Sequence, residues 1–168
     1  MTRKFIIFVL FNIFIFSNLS ADNKKFYPLD KGVIALMYHR FDETKYPSTN
    51  INMNEFKEQM KIVIKKNYSF LDPLEFNLKF YQPKIEKKIL ITIDDAFTSF
   101  YENAWPYLRE KKIPFILFVS TQSVGKKGYM SWSQVKEIEK SSFGFIGNHS
   151  HSHEYLVKFS FDDFKKDI

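Results

Sequence analysis

Two groups of residues in this 168-residue chain have the types and spacing to do chemistry. Asp94 and Asp95 are adjacent and directly follow the apolar run Ile89-Leu90-Ile91-Thr92-Ile93. Paired carboxylates at the end of a buried strand are costly unless something compensates them, and like charges held close raise one pKa unless a cation neutralises them. A turn leaving the strand can bring both onto one site. The alternative is structural, with one aspartate capping the next helix and the other facing water. The second group is His149, His151 and His153. In a helical turn His149 and His153 share a face at i, i+4 and His151 points away; in a strand all three line one side. The first spacing suits two metal-bound imidazoles, and the plain alternative is an exposed polar loop. One carboxylate with two imidazoles makes a ligand set with open coordination positions, and the second carboxylate is then free to act as a general base. Metal-assisted hydrolysis is the reaction class this suggests. With no cysteine the site is hard or borderline, so zinc is the first expectation and other divalent ions are possible. The fourth histidine, His39, follows the run Val33 to Tyr38. It could position substrate, orient a carboxylate, shuttle a proton or serve structure alone.

The elements that must position these groups alternate between two periods. Strand-length apolar runs occur at Val33–Tyr38, Tyr68–Leu71, Ile89–Ile93, Phe115–Val119 and Phe143–Ile146. Between them the spacing predicts a helix capped by Asn54 with Phe56, Met60, Val63 and Ile64 inward, and a short helix from Pro73 through Phe80. A third helix carries Tyr101, Ala104, Trp105 and Leu108, with a kink or a start near Pro106. A fourth is capped by Ser131 and a last one starts at Ser160. Strands apolar on both faces and separated by helices imply a parallel sheet covered by helices. The sheet closes either as an open doubly wound sheet or as part of a barrel. In both, chemistry belongs at the carboxyl ends of the strands, where His39, Asp94 and His149 all fall.

Composition narrows the class further. The absence of cysteine excludes a disulfide framework, a thiolate zinc finger and a cysteine nucleophile. At 45% hydrophobic and 18% aromatic residues the chain is too apolar to be intrinsically disordered. The net charge of +6 comes from lysines in scattered pairs, with arginine only at Arg3, Arg40 and Arg109. Readers of bases and phosphates favour the arginine fork, so no nucleic-acid partner is expected. Residues 1–21 have a basic start, an apolar run from Phe5 to Phe16 and a small-residue end at Ala21. That is the order of a secretory signal peptide, and the run is too short to span a bilayer comfortably. An exported protein with no stable membrane span after cleavage is expected, with a linker over 22–32 and one domain over 33–168.

Ile91-Thr92-Ile93-Asp94-Asp95-Ala96-Phe97 resembles the Thr-Phe-Asp-Asp-Gly motif of the NodB-homology polysaccharide deacetylases, and His149-Ser150-His151-Ser152-His153 matches their second motif, His-Ser/Thr-x-x-His. The Pro114-to-Val119 strand, the Tyr38-His39 element and Tyr46-Pro47-Ser48 also look like the secreted subgroup. The resemblance implies an α/β fold, a partial, distorted (β/α) barrel with about five strand–helix units. It implies that Asp95, His149 and His153 hold a divalent metal ion, zinc first, and that Asp94 is the general base. Ser150 would fix the turn through a local hydrogen bond. The implied reaction is hydrolysis of N-acetyl groups on an amino-sugar polysaccharide. Two departures stand out. Ala96 replaces the usual Gly, at a cost of about 1 kcal/mol if φ there is positive. The later motifs that supply a groove arginine, an aspartate–tryptophan element and a histidine acid are not met in the residues after His153. The domain is therefore expected to be C-terminally truncated, His39 becomes the candidate acid, and a non-catalytic carbohydrate- or metal-binding remnant is the alternative.

Overall fold

The computed structural model describes residues 32–75 and 87–168. The expected signal peptide, the linker up to residue 31 and the expected helix beyond Glu75 lie outside the described residues. Five strands form one sheet: β1 (Val33–Tyr38), β4 (Ser69–Phe70), β5 (Lys88–Asp94), β6 (Phe115–Val119) and β7 (Gly144–Asn148). Their order is β1-β5-β6-β7, and β4 pairs with the start of β5 at Lys88 and Ile89. Every pairing in this sheet is parallel. A small second sheet, β2 (Arg40–Phe41) with β3 (Asn50–Ile51), was not expected, because two residues carry no periodicity.

Register decides which side chains share a face. Ile91 is paired with both Leu36 and Phe115, and Ile93 with Tyr38 and Leu117. These residues line one face, and the helices α1 (Met53–Lys65), α2 (Trp105–Lys111) and α3 (Trp132–Glu139) pack on it. Phe56, Met60, Trp105, Leu108 and Ile138 are at most 2% exposed there. Aromatic rings meet edge to face, Phe41 with Phe56 at 5.1 Å and Phe100 with Phe115 at 5.4 Å. Each such side chain contributes about 1.5–3 kcal/mol through burial and a further increment from ring geometry. Tyr38 closes the cluster by donating its hydroxyl to Gln59 at 2.6 Å, and burial pushes its phenol up to about 12.

Among the described residues the other sheet face is only partly covered. Thr92, Ile116 and Phe118 are half-buried and Met37 is 63% exposed. The expectation of strands buried on both faces therefore holds for the centre of β5 and fails for β1. A doubly wound sheet would place helices on both faces. Here the three core helices share one, which is the barrel-type arrangement.

One local expectation needs correction, and the structure decides between the two alternatives at another. Asn52, not Asn54, caps α1: its Oδ1 accepts the Glu55 N–H at 2.9 Å, and Asp42 Oδ1 accepts the Met53 N–H. The earlier start brings Met53 inward and leaves Ile64 61% exposed. At Pro106 the structure places a helix start. Residues Phe100–Ala104 form a wider π-helical turn, and α2 begins at Trp105. Proline has no N–H to continue the tighter ladder, and the Trp105 N–H reaches back to the Phe100 carbonyl.

Candidate metal centre

The aspartate turn is built on the most buried strand of the sheet. Ile91 and Ile93 are fully buried, Asp94 is 8% exposed and Ala96 1%. The chain then reverses through two left-handed residues, Asp95 at φ +72° and Ala96 at φ +55°. The positive φ anticipated as a condition at Ala96 is thus present, and the strain is held from outside. The Ala96 carbonyl accepts the Met130 N–H at 2.9 Å, and the Thr98 N–H donates to Gly128 at 3.0 Å. Phe97 bridges to Tyr129, ring on ring at 4.9 Å. The turn carries Asp94 and Asp95 toward one mouth, and neither aspartate caps a following helix.

A second tie links this turn to the segment after β1. The Arg40 guanidinium lies 3.4 Å from the Phe97 ring centroid and 4.1 Å from that of Tyr46. It pairs with Glu43 at 2.8 Å, and Ser99 donates to the other Glu43 oxygen at 2.5 Å. The residue pattern did not signal Glu43 or Ser99, because their roles exist only once distant turns meet. The result places His39 with its Nε2 3.9 Å from Asp94 Oδ2. Burial raises the Asp94 carboxyl above the usual carboxylate range, with His149 and His39 pulling it back.

The histidine segment leaves β7 as a loop, and neither a helix nor a strand forms. Just before this exit Gly147 lets β7 lie close against β6, since a Cβ there would meet the Phe118 ring at 2.5 Å. His149 donates its N–H to the Val119 carbonyl, and the Ser120 hydroxyl donates to the His149 carbonyl. Ser150 (φ +63°) and His153 (φ +58°) fold the chain back. Asn148 Oδ1 accepts the Ser150 N–H at 2.6 Å, and Ser150 Oγ accepts the His153 N–H at 3.0 Å. His151 points elsewhere, its Nδ1 2.8 Å from Thr121 Oγ1.

The structure brings Asp95, His149 and His153 together. His149 Nε2 is 3.4 Å and His153 Nε2 3.1 Å from Asp95 Oδ1, and the two nitrogens are 3.2 Å apart. Ligand atoms about 2.0–2.1 Å from a tetrahedral ion stand about 3.3–3.4 Å apart by geometry alone. The triangle has that size. Asp95 Oδ1 is also buried and has no hydrogen-bond partner among the described residues. A buried carboxylate oxygen facing two imidazole nitrogens, with no hydrogen bond of its own, fits a shared cation. These three residues are the set among those described that could hold a metal ion. The mouth continues into a groove of about 580 Å³ lined by His149, His153, Tyr155 and Leu156.

Known proteins resemble this chain in sequence and in fold. The family model described as polysaccharide deacetylase matches residues 81–168, a span that includes Asp94, Asp95 and all three clustered histidines. The YxkH protein of Bacillus subtilis is 32% identical over 72% of this chain and 42% of its own length. The poly-beta-1,6-N-acetyl-D-glucosamine N-deacetylase of Staphylococcus aureus is 27% identical over 93% of this chain and 64% of its own. The structure of IcaB from Ammonifex degensii superposes with a TM-score of 0.72 at 27% identity, covering 82% of this chain and 65% of that one. The chain thus spans roughly two fifths to two thirds of the length of these relatives. With a matching family model over half of its length and both motifs converging on one mouth, this chain belongs to the polysaccharide deacetylase family.

Proposed function

We propose that the domain over residues 33–168 carries the metal half of an enzyme that hydrolyses N-acetyl groups on an amino-sugar polysaccharide. The observation that carries this reading is the triangle of Asp95 Oδ1, His149 Nε2 and His153 Nε2, with Asp94 beside it. Asp95, His149 and His153 would hold the ion, and zinc suits one carboxylate and two imidazoles. When bound, such an ion supplies a Lewis acid for the acetyl carbonyl and makes water a better nucleophile near neutral pH.

Asp94 is the general base. Its raised proton affinity, caused by burial, makes it a better acceptor than an exposed aspartate. It takes a proton as water attacks the acetyl carbon. The C–N bond then breaks, acetate forms, and the sugar nitrogen leaves as an amine after gaining a proton. His39, 3.9 Å from Asp94, is the candidate to supply it. The substrate class follows the naming of the Staphylococcus aureus relative, an N-acetylglucosamine polymer. The basic, apolar and small-residue order of residues 1–21 supports export to the cell envelope or beyond.

The test is acetate release from β-1,6-linked N-acetylglucosamine oligomers by the full chain with zinc or cobalt added. Asp94→Asn should lower the rate by about 10²–10⁴-fold while zinc still binds. Acetate release that is unaffected by Asp94→Asn, or that persists after chelation, would overturn the reading.

A further inference from the structure

The helix α4 (Phe161–Asp167) follows the histidine loop, after a short 3₁₀ turn at Leu156–Lys158. It is an odd helix by the ordinary rule that a surface helix buries an apolar stripe. Phe161 is 70% exposed, and Phe164 is only half-buried. The one buried residue of α4 is an aspartate, Asp167, at 8% exposure. The helix therefore adds little to the hydrophobic core. What it buries is a carboxylate, aimed at the loop that bears His149 and His153.

The contacts are specific. Asp167 Oδ1 accepts the Ser152 N–H at 3.1 Å. The Asp167 backbone carbonyl accepts the His151 N–H at 2.6 Å. One residue on, the Ile168 carbonyl accepts from Asn148 Nδ2 at 2.8 Å. Three residues of the loop, Asn148, His151 and Ser152, are thus tied to the end of α4. On its other flank the loop is tied to β6 and the residues after it, through Val119, Ser120, Thr121 and Gln122. Asn148 also spends its Oδ1 on the Ser150 N–H, so the α4 tie and the internal turn share one side chain.

The backbone needs this help. Ser150 and His153 both sit at positive φ, where residues with a Cβ are strained by about 1–2 kcal/mol each. His153 is the more exposed metal-facing imidazole, 53% against 31% for His149. Its direction is therefore set by the backbone more than by packing. Burial disfavours the charged Asp167 carboxyl, but hydrogen bonds from Ser152, Ser150 and the His151 backbone outweigh it and hold its proton affinity below the usual carboxylate range.

We propose that Asp167 is a positioning residue of the metal centre: it anchors the backbone between His149 and His153 so that both imidazoles face Asp95. The inference rests on the metal reading of the site and is independent of the acetyl-hydrolysis chemistry.

The experiment is titration of zinc and cobalt into the full chain, read by calorimetry and by the visible absorption of bound cobalt. Three single variants accompany the unaltered protein. Asp167→Ala removes the acceptor. Asp167→Asn keeps an oxygen for the Ser152 N–H without the charge. Ser160→Ala removes the α4 cap, where Ser160 Oγ accepts the Asp163 N–H, and weakens the helix with the loop contacts left in place. Asp167→Ala should weaken metal binding by about 10–100-fold, the usual effect of removing a group that orients a ligand, and should alter the cobalt spectrum. Asp167→Asn should stay within about threefold of the unaltered protein. Ser160→Ala should lower Tm at least as much as Asp167→Ala, with a smaller loss of affinity. The proposal is overturned if Asp167→Ala binds like the parent, or if affinity in all variants simply follows Tm. Should Asp167→Ala not fold, Asp167→Asn decides: a folded Asn variant with a tenfold loss rules out the hydrogen-bonding role. A parent chain that binds neither metal removes the site itself, which separates that failure from failure of the Asp167 anchor alone.

Discussion

The two loops that form the candidate metal centre are built in opposite ways. The aspartate turn stands on β5, whose Ile91 and Ile93 are fully buried, and is itself nearly buried at Asp94 and Ala96. The histidine loop leaves an outer strand, is half-exposed, and is held by hydrogen bonds to backbone and short polar side chains. One half of the site inherits rigidity from the hydrophobic core. The other gets its shape from a polar network that water can compete with. Low-dielectric burial also explains why Asp94 has a raised proton affinity. In the proposed reaction the core side would carry the base Asp94 and the ligand Asp95, and the exposed side the two imidazoles.

The sharpest way to break this comparison is through the core. Phe115→Ala removes a fully buried ring that touches Phe100 and Trp105. It should cost about 3–5 kcal/mol of stability, measured by urea unfolding, and should loosen the aspartate turn with it. The paired change His149→Ala with His153→Ala should leave urea stability within about 1 kcal/mol and abolish zinc binding, a loss of more than about 100-fold by calorimetry. If the histidine pair proved as destabilising as Phe115→Ala, the two loops would not differ in the way described.

Smaller changes sharpen the same contrast. Asp94→Asn should stabilise the metal-free chain at neutral pH. The folded-state pKa of Asp94 is raised, so ionised Asp94 costs the folded state as pH rises through that value. The gain from Asn should shrink as pH falls below the ordinary aspartate pKa of about 4, where both states carry the proton. Denaturation midpoints across pH 3–7 (a range set by about that pKa) check the sign. Ala96→Gly relieves a left-handed residue and should add up to about 1 kcal/mol. The smallest effect belongs to His151→Ala. Its ring faces Thr121 and lies outside the metal triangle, so zinc affinity should change less than about threefold, well below the effect of losing an orienting partner.

Much of the site could be read from residue types. Paired carboxylates after an apolar run and histidines four apart suggest a metal chemistry before any fold is known, and strand-end placement says they can meet. Helix caps were less legible. Asn52 and Asn54 are equally good cap residues by type, and only the Asp42 carboxylate, brought close by the preceding loop, favours the earlier start. The Arg40–Glu43–Ser99 tie could not be read at all, because it joins residues 56 positions apart and has no local pattern.

The sequence alone determined the alternating elements, the candidate ligands and, through its two motifs, the family. These depend on side-chain chemistry and on periodicity within a few residues. Tertiary structure decided the rest: that helices cover one sheet face, that the histidines approach from a loop, that His39 stands beside Asp94, and that Asp167 is buried. Each of these depends on which distant segments share a register or a contact, and the free energy of such contacts exists only after the chain has closed on itself.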